Sequence, residues 1–507
     1  MKNSWRVGLF VAAATLGVGS VLSGSALLAA TFHGASGVDT NWSTGANWAE
    51  GAPPTSGSPN LQVILGSNGS GNVLSSNQDL AAPFELQQLS IGPFGTYTPH
   101  AVNGSPLAFS NLGAAPSITS LDFLSPPLTL NNDLIFNADV DVAPPGTIPT
   151  IIQYSLNGAI SGAGGLRLMR GGYLYLGGTA ANTYAGLTTA ADGVLYLNKP
   201  ASVIAVPGDL AIYTGGSTRS VRGSAVVMND NQIAADASVT INRGLLSIEG
   251  GNQTLANLTF MGTDDPVMLW NGGDVAISPT RTLTVTGLIN RASINVPPFF
   301  PQSTSVISGG TLDLAGAMRE FRVDNVNPFG LRTSLTVSSA IANGGIVKTG
   351  AGLLALAGAK NTFTGNVLVN DGTFSVIHDA ELRFRLEDGG VSNRILGTAN
   401  VELHGAFTID AASVTDASGS WNLVEVANLN ETFIPGLRIQ FVDGTRFIDN
   451  GNGVYTSGRW RFTTADGNLT LAIPEPAGGL LALLAVAAGG GCRRTSRSVP
   501  SRRERRG

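Results

Sequence analysis

The sequence has almost no cysteine. Cys492 is the single one among 507 residues, and it lies near the C-terminus. A disulfide needs two cysteines and a cysteine-based metal site needs several, so the chain can form neither within itself. Its stability must come from packing and strand pairing.

Charged and aromatic side chains are also scarce. Charged residues make up 12% of the chain, against roughly 25% in an average globular protein, and aromatic residues make up 7%. Disordered chains combine high charge with low hydrophobicity, whereas 43% of this chain is hydrophobic. Together with 66 glycines, this composition favours a packed β-protein with many turns.

The basic residues are concentrated at the two ends of the chain. Lys2 and Arg6 lie at the start, and seven arginines lie after Cys492. The body between them is therefore more acidic than the net charge of −5 indicates. An acidic body repels nucleic acid and anionic lipid, so neither is a predicted partner.

Catalytic motifs are missing from the sequence. The four histidines form no closely spaced metal-binding pair, and neither a nucleophile elbow nor a phosphate-binding loop occurs. The best catalytic candidates are Asp264, Asp265 and His404, because polysaccharide-cleaving enzymes use clustered carboxylates. Asp264 and His404 are 140 residues apart, which disfavours a shared site. We therefore predict no enzyme, no metal site and no cofactor.

A second acidic pair has two alternative interpretations. Asp139 and Asp141 are two residues apart, so their side chains share one face of a strand. Two carboxylates on one face either bind a cation weakly or form a solvated strand surface.

The first 30 residues are typical of a signal peptide. A positive start is followed by the apolar stretch 7–22 and then by small residues suited to cleavage. The alternative is an uncleaved anchor helix. The pattern predicts export through a secretion translocon.

The last 35 residues have three parts. Pro474, Glu475 and Pro476 precede an uncharged stretch at 477–491. A basic cluster follows, whose predicted members are Arg493, Arg494, Arg497, Arg502 and Arg503. The uncharged stretch would span ~22 Å as a helix, short of the ~30 Å bilayer core, so it predicts transient membrane anchoring. A permanent tail anchor is the alternative.

This tail resembles the PEP-CTERM sorting signal. The resemblance covers residues 474 to about 506 and implies processing by an exosortase-like membrane enzyme. It implies a secreted protein of the cell surface or extracellular matrix, anchored in the membrane before processing.

Two segments of the body repeat one pattern. Residues 164–197 and 344–376 share Gly-rich turns, a short apolar strand, an Asn-Thr-aromatic-x-Gly corner and an Asp-Gly turn. Alternating apolar positions predict short strands that stack coil on coil over one shared core. The corner asparagines, Asn182 and Asn361, are predicted to form a side-chain ladder between coils.

The repeated pattern resembles the autotransporter-associated β-strand repeat, which implies a right-handed parallel β-helix. The predicted class is all-β, with terminal signal and tail helices. Coils of roughly 20–25 residues over residues 82–380 would give about 12–15 coils and a rod of about 60–70 Å. The predicted units are the signal peptide (1–30), an N-terminal cap (31–81), the repeats (82–380), a C-terminal β region (381–472) and the tail (473–507).

The predicted N-terminal cap contains Trp42 and Trp48 in an Asn-Trp-Ser…Asn-Trp motif. The motif resembles the opening of other exported proteins with these repeats. The two rings either cover the open end of the solenoid or form a glycan-binding platform. The functional alternatives are a structural or adhesive surface protein, a polysaccharide-active β-helix enzyme and a glycan-binding module. Extracellular polysaccharide is a possible partner in each case.

Overall fold

The computed structural model describes most of the chain between the two terminal segments. The described residues are 28–66, 75–92, 99–121, 126–143, 152–215, 222–262, 272–293, 304–324, 334–358, 360–377 and 379–473. The predicted signal segment up to residue 27, the sorting tail from 474, and both Asp264 and Asp265 lie outside these ranges.

The described chain is a parallel β-helix, which confirms the predicted fold class. Strands make up 53% and helices 3% of the structure, and two sheets contain 16 strands each. Each coil passes through a strand of sheet A, then one of sheet B, and then a third face. The right-handed sense of the coil stays a prediction.

Sheet A is parallel throughout and includes every coil. Its strands, in order along the solenoid, are Leu28–Phe32, Leu61–Leu65, Gln88–Ile91, Ser117–Ser120, Val140–Ala143, Leu166–Leu168, Thr188–Ala191, Leu210–Tyr213, Ser238–Asn242, Asn257–Gly262, Ile289–Ser293, Met318–Val323, Gly345–Thr349, Val367–Val369, Ile395–Gly397 and Val424–Val426. Sixteen strands at ~4.8 Å spacing give a stack about 70 Å long.

Sheet B forms the second face, and two of its strands turn the corner onto the third face. Its strands are Ser75–Gln78, His100–Gly104, Leu128–Leu130, Gln153–Leu156, Tyr173–Leu176, Val194–Leu197, Ser224–Val227, Leu245–Ile248, Asp274–Val285, Thr304–Asp313, Ser334–Val337, Leu353–Ala357, Thr373–Ile377 and Asn400–Leu403, with Gln253–Leu255 and Ala340–Ala342 beside the two long strands.

The third face is built from shorter sheets. Near the N-terminus it contains Phe84–Leu86, Leu107–Phe109, Leu134–Phe136 and Ile160–Ser161. Near the C-terminus it contains Glu381–Glu387, Ala406–Ser413 and Arg438–Phe441, with the short antiparallel strand Val391–Ser392.

Coil length is more variable than the sequence predicted. Val239 pairs with Leu258, 19 residues later, whereas Leu28 pairs with Leu61, 33 residues later. One source of this variation is the length of the connection from sheet A to sheet B. It has two residues between Ala191 and Val194 but eleven between Gly262 and Asp274. The strands on either side of the short and the long connection remain paired in parallel register.

The solenoid continues on both sides of residues 82–380. Its first sheet A strand begins at Leu28 and its last ends at Val426. A five-stranded antiparallel sheet, whose first strand precedes Val424 and whose other strands follow Val426, ends the described chain. Its strands are Gly419–Asn422, Asn468–Leu471, Trp460–Thr463, Val454–Ser457 and Ile448–Asp449. The helical elements of the described chain are Gly45–Asn47, Asp388–Gly390 and Leu429–Thr432.

One hydrophobic core runs through the stack. Strand residues alternate between buried and partly exposed positions, as Val239, Thr240 and Ile241 do. The buried side chains contact those of the coils before and after them, and each fully buried Leu or Ile contributes roughly 2 kcal/mol. A single coil cannot bury this surface, so stability requires stacking.

Candidate interaction surfaces

The side chains of the corner asparagines form hydrogen bonds with backbone groups of the preceding and the following coil. Asn182 accepts a hydrogen bond from the N–H of Ile160 in the preceding coil at 3.0 Å and donates one to the carbonyl of Ala205 in the next coil at 2.8 Å. Asn361 accepts from the N–H of Ile341 and donates to the carbonyl of Glu381, both at 3.0 Å. The two repeats thus have the same pair of hydrogen bonds at the corner, and both asparagine side chains are buried.

The predicted ladder of corner asparagines differs in its bonding, because these amides bond to backbone groups of the neighbouring coils. A side-chain ladder occurs instead at the ends of sheet B strands. There Asn131 donates to Asn103 at 2.8 Å and Asn157 donates to Asn131 at 2.9 Å. This position is exposed, so the amides bond to one another.

The corner also requires close approach between coils. The corner aromatic rings, Tyr184 and Phe363, are buried. A Cβ placed on Gly186 would lie 2.3 Å from the backbone nitrogen of Gly165. A Cβ on Gly365 would lie 2.6 Å from the carbonyl oxygen of Gly344. Glycine is needed at both positions because the coils meet backbone to backbone.

Sheet A presents a straight column of outward-facing side chains. Each member is paired with the next across the ladder, and all are at least partly exposed. The column contains Gln88, Ser117, Asp141, Arg167, Thr189, Ala211, Thr240, Thr259, Asn290, Arg322 and Thr349. Ten steps of ~4.8 Å make a polar surface about 48 Å long.

The two aspartates of the possible cation site face an arginine. Arg167 Nε lies 2.7 Å from Asp141 Oδ1, and its Nη1 lies 4.0 Å from Asp139 Oδ2. Asp139 also accepts a hydrogen bond from the N–H of Gly165. The guanidinium group offsets part of the negative charge of the pair and bonds to Asp141, which favours the solvated strand face over a cation site. In the part of the chain that the structure describes, no cluster of three or more metal-ligating side chains occurs.

Trp42 and Trp48 lie inside the N-terminal end of the solenoid. Their exposed fractions are 0% and 2%. The two rings meet edge to face with centroids 5.7 Å apart, and Trp42 also contacts Phe84 at 5.5 Å. Trp48 Nε1 donates to the carbonyl of Trp42 at 2.6 Å. A sugar platform needs an exposed ring face, so this burial favours the cap interpretation.

The segment around these tryptophans pairs with the first strands of sheets A and B. On sheet B, Trp42 N–H donates to Asn77 O, and Asn77 N–H donates to Thr40 O. On sheet A, Ala49 N–H donates to Thr31 O, and the carboxylate of Glu50 accepts from Thr31 N–H. On the third face, Gly57 N–H donates to Glu85 O. The first strand of each face is thereby paired, which limits edge-to-edge association with other chains.

Two lysines are buried, Lys348 at an inward strand position typical of apolar residues and Lys199 in the bend after the strand Val194–Leu197. Lys199 Nζ donates to Gly177 O at 2.6 Å, and Lys348 Nζ donates to Thr349 O at 2.8 Å and to Asp371 O at 3.0 Å. Burial lowers the pKa of each ammonium to about 8. Neither lysine was a sequence-based candidate, although Lys348 occupies the inward position that Leu168 holds in the first repeat.

Three tyrosines that were not sequence-based candidates form a surface cluster. Tyr175 and Tyr196 are paired on consecutive coils, with ring centroids 4.4 Å apart and ring planes at 6°. Tyr173 lies 6.2 Å from Tyr196. We call these residues the tyrosine cluster. Their outward positions, two residues apart on one strand and aligned on the next, were a signal present in the repeat pattern.

The remaining candidate residues are not brought together. His404 is partly buried near the end of the stack, where its backbone N–H donates to the backbone carbonyl of Val376 at 2.8 Å. Its predicted partners Asp264 and Asp265 lie outside the described residues, as do the Pro474–Pro476 motif and the arginine cluster. Among the described residues, no helix is long and apolar enough to cross a membrane.

The fold and these surfaces define a stacked β-helix protein with long outward-facing polar columns. Part of the chain is similar to the adhesin BmaC autotransporter of Brucella suis biovar 1 (strain 1330), with 26% identity over 227 residues. The match covers 38% of this chain and 6% of the length of that adhesin. No family model and no solved structure matches the chain.

Proposed function

We propose that this chain is an exported structural or adhesive protein of the cell surface or extracellular matrix, and not an enzyme. The polar column of sheet A carries this proposal. Eleven outward positions lie in one line along a stiff stack, and ten of them are polar. Many weak contacts made by one rigid surface add up to strong attachment, because later contacts form within an already bound complex.

The similarity to an autotransporter adhesin supports an adhesive role over a catalytic one. The sequence of the two ends supports export and sorting. In this proposal the signal peptide directs the chain to a secretion translocon. The tail around Pro474, Glu475 and Pro476 then holds it in the membrane until an exosortase-like enzyme removes the tail.

Fractionation of the native cells, followed by mass spectrometry of the intact protein, tests the location and the sorting. We expect the protein in the surface or matrix fraction, with a new N-terminus near residue 30 and a new C-terminus near Pro474–Pro476. Recovery from the cytoplasm with both ends intact would contradict the proposal.

Attachment of cells to abiotic and polysaccharide-coated surfaces tests the adhesive role. Loss of the protein should reduce attachment, and adding back the full chain should restore it. A matched variant with Thr189, Thr240 and Thr259 changed to Lys would place three cations in the column of sheet A. Normal attachment by that variant would contradict an adhesive role for this face.

A further inference from the structure

We propose that the tyrosine cluster on sheet B is a binding site for a neutral polysaccharide. This inference deepens the proposed function, because it gives the surface protein a class of partner. Its basis is the juxtaposition of Tyr173, Tyr175 and Tyr196 on the outer face of two consecutive coils.

The stack of rings leaves one ring face accessible. Tyr175 and Tyr196 cover each other on their facing sides. On the preceding coil, the residue paired with Tyr175 is Ser155, whose short side chain cannot cover the opposite face of the ring. The residue paired with Tyr173 is Gln153, which is exposed. The apolar C–H face of a pyranose ring can stack on such an aromatic face.

The comparison of the two repeats indicates that the coil does not need these rings. The positions equivalent to Tyr173, Tyr175 and Tyr196 in the second repeat are held by Leu353, Ala355 and Ser375. These residues have the same pairing across the ladder, Leu353 with Thr373 and Ala355 with Ser375. The coil of the second repeat therefore forms without aromatic rings at these positions, where Ala355 and Ser375 are buried. Three partly exposed aromatic rings need another reason, and ligand binding supplies one.

The chemistry of the surroundings favours a neutral sugar polymer. Hydroxyl and amide groups border the rings, from the tyrosines themselves and from Ser155 and Gln153. The pKa of Tyr196 is raised, mainly by burial and then by the neighbouring Tyr175, so its hydroxyl stays a hydrogen-bond donor well above neutral pH. The charged side chain that acts on it is the acidic Glu249, which disfavours an anionic polymer. Stacking rings with a hydroxyl border suit sugar hydroxyls.

The chain supplies its own matched variants for the test. The triple variant Tyr173→Leu, Tyr175→Ala, Tyr196→Ser installs the residues of the second repeat. The control Tyr184→Phe makes the same exchange at the buried corner, where the second repeat has Phe363. Circular dichroism and the thermal unfolding midpoint should show both variants folded.

Affinity electrophoresis of the full chain measures binding to a mixed-linkage β-glucan, a xylan and a galactomannan, with alginate as the anionic comparison. We expect at least one neutral polymer to retard the parent chain and the control. The triple variant should bind that polymer at least tenfold more weakly. Equal binding by the triple variant, binding of alginate alone, or no binding of any neutral polymer would overturn the inference. Cell fractionation does not depend on polysaccharide binding, so the proposed surface location is tested separately from this inference.

Discussion

The two matched repeats differ in an instructive way. Residues 164–197 and 344–376 share every feature that joins one coil to the next: the corner asparagine, the buried aromatic ring and the closely approached glycine. They differ on the outer surface, where one has the tyrosine cluster, and at several inward sites, among them the one where Leu168 is replaced by Lys348. Contacts between coils therefore specify the fold, and outward positions remain open to binding functions.

The largest effect is expected at the corner asparagine. Asn182→Ala should lower the free energy of unfolding by about 4 kcal/mol, because it leaves the N–H of Ile160 and the carbonyl of Ala205 buried without partners. Asn361→Ala should behave alike. Denaturant unfolding measures both.

Asn157→Ala is the matched control for the corner asparagines, since it removes an exposed amide of the ladder. Its expected cost is below about 1 kcal/mol. Equal losses at Asn157 and Asn182 would contradict the distinction between corner and ladder.

Lys348 should make the two repeats differ in their response to pH. Its pKa is about 8 in the folded chain and about 10.5 when unfolded. Between these values the unfolded chain binds more protons, so rising pH stabilises the parent chain. Relative to Lys348→Leu, the parent should gain about 3 kcal/mol from pH 8 to pH 10.5.

Unfolding curves of the parent and the Lys348→Leu variant at the two pH values measure this difference directly. The subtraction removes the contributions of all other titrating groups. A constant gap across this pH range would show that the ammonium is not buried in the native state.

The glycine at the corner should matter less than the asparagine. Gly186→Ala should cost about 2 kcal/mol, because its Cβ would press on the backbone of the preceding coil. Gly208→Ala is the control, since a Cβ at Gly208 meets nothing within 4 Å. Thermal unfolding should separate the two variants, and a Gly208→Ala variant as unstable as Gly186→Ala would refute the role of close approach.

The smallest effect is expected on the outer face. Arg167→Thr installs the residue type of the next coil, Thr189, and removes the ion pair with Asp141. Both side chains are about one-third exposed, so the expected loss is about 0.5 kcal/mol or less, and it should vanish in 1 M salt. A salt-independent loss would point to packing instead.

Much of the fold could be predicted because the sequence repeats the same pattern of turns, strands and corners. Gly-rich turns, alternating apolar residues and the repeated corner predicted a stack of β-coils, and the resemblance to the autotransporter-associated repeat implied a parallel β-helix. Coil length was less predictable, since connections between sheets A and B can lengthen without disturbing the register. The partners of Asn182 were missed because the sequence does not show which backbone groups face a side chain across coils.

The candidate surfaces were only partly predictable. Strand alternation indicates which side chains face outward, but the pairing of Tyr175 with Tyr196 depends on the register between coils. Lys348 looked unremarkable in sequence because a buried ammonium needs carbonyl groups that only the folded turn brings together. The tryptophans left two interpretations open until their burial was known.

Disulfide trapping tests the stacking of coils most directly. In a Cys492→Ser background, Thr240→Cys with Thr259→Cys places two thiols on neighbouring coils, ~4.8 Å apart between Cα atoms and within the 4.4–6.8 Å range of disulfides. Thr240→Cys with Asn290→Cys places them two coils apart, at ~9.6 Å. We expect mild oxidation to close the first pair and leave the second reduced. A first pair that stays reduced, or a second pair that closes equally well, would contradict the stacked solenoid.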